Sequence, residues 1–197
     1  MATKKIGVIG SGQVAQILAS GFLKHGYDVM VGSSHLDKLA DWKTKHTHAQ
    51  LGSFEETAKF GDIVVLAVKG AVAETVIKSI ASQLTAKIVI DTTNPIAEVP
   101  PVNGVLKYFT TLEDSLMERL QRVAPKAKFV KAFNSVGNSF MVNPIFPGGK
   151  PTMFICGNDG EAKKQVNSIL DQFGWETADY GLVESARAIE PLCMLWC

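Results

Sequence analysis

The feature that most constrains this chain is a glycine-rich turn between an apolar run and a helical pattern. Residues 6–9 are mostly apolar, and Gly10, Ser11 and Gly12 follow them directly. Gly10 and Gly12 fall at the first two positions of G-x-G-x-x-G/A, and Ala15 fills the third, where a small residue lets a helix lie close to a strand. The pattern predicts a strand, a tight turn and a helix.

The same turn suits a phosphate group. A pyrophosphate approaches the backbone only where no side chain intervenes, and the first N–H groups of the helix at residues 12–24 have no partner within that helix. A second strand at 28–32 completes a βαβ unit, which predicts dinucleotide binding; an ordinary glycine turn is the alternative. The expected contacts at the turn are Gly10, Ser11, Gly12, Gln13 and Val14.

The residues after the second strand bear on the choice of dinucleotide. NAD sites commonly place Asp or Glu there, and that carboxylate repels the 2′-phosphate of NADP. This chain instead has Ser33, Ser34 and His35, with Lys38 about one helical turn further on. These side chains can donate to a phosphate, so the sequence favours NADP. In the alternative interpretation, Ser33 and Ser34 only cap a helix that begins near His35.

Strands and helices alternate along the rest of the chain. Further strands are predicted at 62–68, 87–91, 128–134, 152–157 and 176–180. Helical patterns occupy most of 36–60, then 71–83, 115–123, 160–173 and 182–196, the last broken by Pro191. The alternation predicts an α/β protein with a doubly wound parallel sheet of the Rossmann type. Residues 1–197 are expected to form a single dinucleotide-binding domain, with 150–197 as its C-terminal strand and helix extension.

Polar loops after the central strands are the candidates for the reacting end of the cofactor. The carboxyl ends of parallel strands meet at one edge of the sheet, where open α/β sheets bind ligands. The expected contacts there are Ala67, Val68, Lys69, Asn94 and Pro95, with Asn134, Ser135 and Val136 completing the pocket. Ordinary Asn-Pro and Asn-Ser turns are the alternative. The sequence offers no array of catalytic acids or bases, so any reaction at this edge would depend on the positioning of the reactants.

Composition and charge argue against several other functions. The net charge is +1 with 20% charged residues, which gives no basic field for nucleic acid. No apolar run approaches the roughly 20 residues that span a bilayer, and no secretory h-region is evident, so a cytoplasmic location is expected. Cys156, Cys193 and Cys197 lack C-x-x-C spacing, and His46 and His48 lack further ligands nearby. Buried thiols are therefore expected, and no metal site.

The segment 192–197 is too apolar for a free surface. It is expected to pack either within the monomer or against another subunit. Residues 96–110 have little periodicity and carry Pro100, Pro101 and Gly104, which predicts an exposed and mobile loop.

The ordered series of motifs resembles a known family, the NADP-dependent oxidoreductases related to NADPH:deazaflavin (factor 420) oxidoreductase. The same fold supplies the NADPH-binding domain of the STEAP metalloreductases. The matching segments are 7–12, 29–33, 91–95, 130–134 and 154–159, with further likeness at 161–163, 173–174 and 190–192. The family frequently has arginine after the Gly-Ser at the second strand, where this chain has Ser34 and His35, so the implied hold on the 2′-phosphate is weaker.

The resemblance implies hydride transfer between NADP(H) and a small-molecule acceptor with a flavin-like ring, such as deazaflavin, FMN or FAD, often in a homodimer. Two alternatives stay open. Imine reductases and 3-hydroxyacid dehydrogenases share the glycine turn but usually add a large helical domain after about residue 160. A non-catalytic module that binds NADPH and senses the redox state would also keep the turn.

Overall fold

The computed structural model describes residues 4–197. Its strands are β1 (Lys5–Ile9), β2 (Asp28–Gly32), β3 (Gln50–Gly52), β4 (Ile63–Leu66), β5 (Ile88–Asp91), β6 (Lys128–Lys131), β7 (Thr152–Ile155) and β8 (Glu176–Asp179). The α-helices are α1 (Gln13–Lys24), α2 (Ala40–Lys45), α3 (Phe54–Phe60), α4 (Gly70–Ile80), α5 (Leu116–Val123), α6 (Gly160–Gln172) and α7 (Ala186–Ile189). Short 3₁₀ turns lie at Leu36–Leu39, Asn138–Phe140, Val183–Ser185 and Glu190–Leu195.

The first six strands form one parallel sheet in the order β3-β2-β1-β4-β5-β6. This is the strand order of the doubly wound dinucleotide-binding fold, so the predicted fold class is confirmed. Helices cover both faces, and their apolar sides build two separate cores. Val8 and Val65 contribute to one core, whereas Val64 and Leu66 contribute to the other, because successive side chains on a strand point to opposite faces.

The prediction of a mostly helical segment at 36–60 was wrong in its middle. Residues Gln50–Gly52 form β3 at the edge of the sheet, paired in parallel with β2. A strand of three residues is too short to show a period-2 pattern, and only its pairing with β2 reveals it.

The last two strands do not continue the main sheet. β7 and β8 pair with each other in parallel as a second, two-stranded sheet. A single antiparallel bridge between Lys131 and Cys156 joins this sheet to β6. The alternation of elements along the sequence did not distinguish one sheet from two. The single-domain organisation itself stays a prediction.

The predicted apolar helix at 182–196 is not one helix. It is divided into the turn Val183–Ser185, helix α7 and the turn Glu190–Leu195. Pro191 lies in the first turn of the last segment, where its missing N–H costs nothing, rather than breaking a helix in its middle. Within residues 4–197 no helix combines the length and apolar character needed to cross a membrane.

The loop at 96–110 is exposed at its tip and anchored at its base. Val102 and Val105 form an isolated bridge at the exposed tip, and Ile96 pairs with Tyr108 at the base. The Tyr108 hydroxyl donates to the backbone oxygen of Glu190 at 2.8 Å. The loop is therefore tied to the segment that follows α7.

Candidate functional site

A cleft of about 810 Å³ lies at the carboxyl edge of the six-stranded sheet. The turn after β1, the loop after β4 and the loop after β5 all contribute to its wall. This is the point at which the strand order reverses, between β1 and β4, where doubly wound sheets bind their ligands. Val68, Ile96, Val99 and Pro100 give part of the wall an apolar character.

The two glycines of the turn have different roles. Gly10 has φ of +136°, and a Cβ there would collide with the backbone oxygen of Ala67. Only glycine fits that position without strain. Gly12 is the N-cap of α1, and a Cβ there would meet no protein atom within 4 Å. Packing within the protein therefore does not require glycine at position 12. The missing side chain leaves space open in the cleft.

The start of α1 is suited to an anion. Gly12 offers no side-chain cap, and the first turn of α1 carries no acidic residue. The first backbone N–H groups of a helix have no partner within it, and the helix dipole adds positive potential there. Asn138 reaches this helix from the loop after β6, where its amide donates to Oε1 of Gln13 at 2.9 Å.

Just past the end of β2, the Ser33 side chain is buried and three further polar side chains are exposed. The buried Ser33 hydroxyl donates to Oγ of Ser11 at 2.9 Å and accepts from the backbone N–H of His35 at 3.0 Å. The 3₁₀ turn that follows has His35, and not a serine, as its N-cap, and the His35 side chain makes no cap hydrogen bond. Ser33 therefore ties the end of β2 to the glycine turn, while Ser34, His35 and Lys38 face solvent.

Asn94 and Asn134 form a reciprocal amide pair beside the cleft. Asn94 lies on the cleft wall, and its amide donates to the backbone oxygen of Asn134 at 2.8 Å. The buried Asn134 amide donates to Oδ1 of Asn94 at 3.0 Å and to the backbone oxygen of Ile189 at 3.1 Å. Both polar atoms of the Asn94 side chain are engaged, which fixes its orientation.

The structure brings many of the expected contacts together. Those on the cleft wall are Gly12, Gln13, Val14, Ala67, Val68, Lys69 and Asn94. Those outside the lining are Gly10, Ser11, Ser33, Ser34, His35, Lys38, Pro95, Asn134, Ser135 and Val136. The roles of both groups in binding stay predictions.

Sequence reasoning missed a buried cluster of charges below this edge of the sheet. The Lys131 ammonium lies 2.6 Å from Oδ2 of Asp91 and 3.0 Å from Oε1 of Glu190, and it donates to the backbone oxygen of Thr93 at 2.8 Å. All three charged side chains are buried. Burial lowers the pKa of Lys131, but the two carboxylates outweigh it and hold the pKa above its ordinary value. The available signal was a lysine between the apolar residues Val130 and Ala132, at the end of β6.

Glu190 links this cluster to helix α5. Its carboxylate accepts from the backbone N–H groups of Leu116 and Met117, each at 3.0 Å, so it caps the helix from a distant part of the chain. The segment after α7 is thereby held against the main sheet. It carries Trp196 to the cleft wall.

The apolar segment at 192–197 is only partly covered by the monomer. Cys193 is buried, whereas 83% of Leu195 and 44% of Trp196 are exposed. Cys156 is also buried, but Cys197 is exposed, which corrects the expectation of three buried thiols. Burial is the main factor that raises the pKa of Cys156, and likewise of Cys193, to about 12.

Comparison with known proteins agrees with the geometry of the cleft. The family model for NADP oxidoreductase, coenzyme F420-dependent, matches residues 5–95, which run from β1 to the loop after β5. An F420-dependent NADP reductase from Methanocaldococcus jannaschii is 30% identical over 145 residues, covering 72% of this chain and 63% of that protein. The chain is similar to the coenzyme F420-dependent NADP oxidoreductases. The resemblance inferred from the ordered motifs is confirmed.

Two further comparisons extend the likeness beyond residue 95. Metalloreductase STEAP3 from Rattus norvegicus is 29% identical over 188 residues, which are 95% of this chain and 36% of that protein. A crystal structure of a candidate F420-dependent NADP reductase from Arthrobacter sp. FB24 superposes with a TM-score of 0.92 at 29% identity, covering 99% of this chain and 92% of that one. The chain thus spans about a third of the metalloreductase and under two thirds of the archaeal reductase.

Proposed function

We propose that this protein is an NADP(H)-dependent oxidoreductase that transfers a hydride between the nicotinamide and a flavin- or deazaflavin-type ring. The observation that carries the proposal is the composition of the cleft wall. An open glycine turn at the start of α1 and an apolar surface at Val68, Ile96 and Val99 share one cavity. The open glycine turn suits a dinucleotide phosphate, and the apolar surface suits a planar apolar ring.

The residues of the glycine turn fit a dinucleotide. Gly12 leaves the N–H groups at the start of α1 open, and these would donate to the pyrophosphate. Ser34, His35 and Lys38 present exposed donors past the end of β2, where the 2′-phosphate of NADP would lie. No carboxylate at positions 33–35 opposes that phosphate.

The reacting end would lie between the loops after β4 and β5. Ala67 and Val68 offer a surface with little polarity, and the orientation of Asn94 is fixed by Asn134. When bound, NADPH supplies the hydride, and the chain's own residues align the two rings and exclude water. Positioning of this kind needs no acid or base among these residues. A homodimer, which the resemblance implies, is part of the proposal.

The decisive experiment is stopped-flow oxidation of protein-bound NADPH, followed by absorbance. Deazaflavin, FMN, FAD and a ferric chelate are offered in turn, with free NADPH as the control for background reaction. Rapid oxidation by a ring acceptor supports the proposal. Tight NADPH binding without oxidation by any acceptor would overturn it in favour of a binding or sensing module.

A further inference from the structure

We propose that Trp196 recognises the electron acceptor, by stacking its indole on a planar aromatic ring held in the cleft. The proposal rests on the proposed function, which it deepens by naming a specificity-determining residue. Trp196 lines the same cavity as Gly12, Val68 and Asn94, although it comes from a segment far away in the sequence.

Trp196 differs from the other two tryptophans of the chain. Trp42 and Trp175 are buried, and their indole N–H groups donate to Oγ of Ser20 and the backbone oxygen of Met141. Trp196 is 44% exposed, and among residues 4–197 its indole N–H has no hydrogen-bond partner. The open aromatic surface of Trp196 on the cavity wall is available to a ligand, and a ligand that covers it would gain the free energy of burying apolar area.

The indole is placed by contacts on its own side of the cleft. A Cβ built on Gly137 would lie 3.8 Å from Cε3 and 3.9 Å from Cζ3 of Trp196, so the six-membered ring rests over a backbone without a side chain. The backbone N–H of Trp196 donates to the oxygen of the buried Cys193 at 3.3 Å. Glu190, three residues before Cys193, is held by an ion pair with Lys131 and by a hydrogen bond from the start of α5.

The rest of the cavity favours a flat, apolar ligand. Ile96, Val99 and Pro100 contribute aliphatic surface to the same wall. Lys69 and Glu98 also belong to this wall, but they pair with each other and their side chains are exposed to solvent. An indole adds a large π face to this apolar site, and aromatic rings gain attraction beyond their buried area when stacked with an offset. A ring acceptor would use this face, whereas a hydrated metal chelate would not.

The test measures binding separately from turnover. Oxidised FMN and oxidised deazaflavin are titrated by calorimetry into protein saturated with NADP⁺, so that no reaction takes place. For Trp196→Ala we expect the dissociation constant of the ring that binds to rise about tenfold, while the NADPH dissociation constant stays within a factor of about two. Trp196→Phe retains an aromatic face and should restore most of the affinity.

Leu195→Ala is the matched control, because Leu195 precedes Trp196, is 83% exposed and is not part of the cleft wall. It should leave ring binding unchanged. Gly137→Leu provides a second perturbation, intended to shift the indole, because a Cβ there already reaches van der Waals contact with the ring and leucine extends beyond it. The backbone there has φ of −63°, which any residue adopts. This substitution should weaken ring binding without changing NADPH binding.

The outcomes separate this inference from the proposed function. Equal ring affinity in wild type and Trp196→Ala, with normal NADPH oxidation, would overturn the role of Trp196 and leave the oxidoreductase intact. A loss of NADPH affinity in place of ring affinity would assign the indole to the nicotinamide and would also overturn the inference. Trp196-dependent ring binding without turnover would support the inference and overturn the hydride transfer.

Discussion

At the scale of single residues, the glycine turn separates a folding requirement from the proposed binding role. Gly10 is needed by the backbone itself, because of its positive φ and its contact with Ala67. Gly12 is in extended geometry with open space around it. Substitutions at the two positions should therefore fail in different ways.

We expect Gly12→Val to fold and to lose NADPH. The valine side chain would occupy the space in front of the N–H groups of α1, and loss of a charge-assisted hydrogen bond of about 1.5–3 kcal/mol weakens binding by about 10- to 100-fold. Calorimetry gives the dissociation constant, and thermal unfolding checks the fold. Gly10→Val, the comparison variant, should lower the melting temperature. An unchanged NADPH affinity in Gly12→Val would show that the pyrophosphate lies elsewhere.

Ser34 offers a cleaner test of cofactor choice than its buried neighbour. A carboxylate at position 33 would be buried against Ser11, whereas one at the exposed position 34 would face the expected 2′-phosphate. Ser34→Asp should lower the preference for NADPH over NADH by about tenfold through charge repulsion. The two dissociation constants are compared with those of Ser34→Asn, which has the same shape without the charge. If Ser34→Asp and Ser34→Asn prefer NADPH over NADH to the same extent, the 2′-phosphate lies away from Ser34.

At the scale of elements, a capping box and an ion pair join helices α5 and α7. Ser115 and Glu118 cap the start of α5 reciprocally, and Arg187 of α7 donates two hydrogen bonds to the same Glu118 carboxylate, at 2.6 and 3.0 Å. Hydrogen bonds from Arg187 and then from Ser115 outweigh burial and hold the pKa of Glu118 below its ordinary value of 4.5. The contact between two helices is therefore sensitive to pH.

Glu118→Gln should lower the free energy of unfolding by about 1 kcal/mol at pH 7, as expected for weakening a helix cap and an ion pair whose arginine is partly exposed. Because the folded state lowers the pKa, the stabilisation is complete above pH 4.5 and is lost as the pH falls below it. The difference between wild type and variant in urea unfolding should therefore shrink in acid. A difference independent of pH from 7 to 3 would contradict the assigned role of the carboxylate.

At the scale of the whole molecule, the buried cluster around Lys131 connects parts that are distant in sequence. Lys131 ends β6, Asp91 ends β5, and Glu190 belongs to the segment that carries Trp196. One ammonium group therefore holds two strands of the main sheet and the wall of the cleft together. Replacing it leaves two buried carboxylates without their cation.

We expect Lys131→Met to lower the free energy of unfolding by about 3–5 kcal/mol, the usual cost of breaking a buried ion pair. Urea unfolding followed by circular dichroism measures the change. Lys128→Met is the matched control on the same strand, because Lys128 pairs with Asp159 at the surface. This substitution should lower the free energy of unfolding by no more than about 1 kcal/mol. If the free energy of unfolding falls equally in the two variants, the buried cluster stabilises the fold no more than the surface pair does.

Local patterns were enough to predict the glycine turn, helix α6 and a strand at each long apolar run. These features depend on residues close together in the chain, since turns, caps and periodic burial act over a few positions. The edge strand β3 and the separate pairing of β7 with β8 escaped the same reasoning. Strand pairing is a choice between distant segments, which a short run of residues does not encode.

The amino-acid order alone was thus sufficient for the doubly wound class and for the glycine turn at the carboxyl edge of the sheet, whereas phosphate binding at that turn stays a prediction. Three features became visible only in the folded chain: the Asn94–Asn134 amide pair, the buried partners of Lys131 and the position of Trp196 on the cleft wall. Each depends on contacts between segments far apart in sequence. Such contacts are set by packing and by the need to pair buried polar groups, which act on the assembled structure rather than on neighbouring residues.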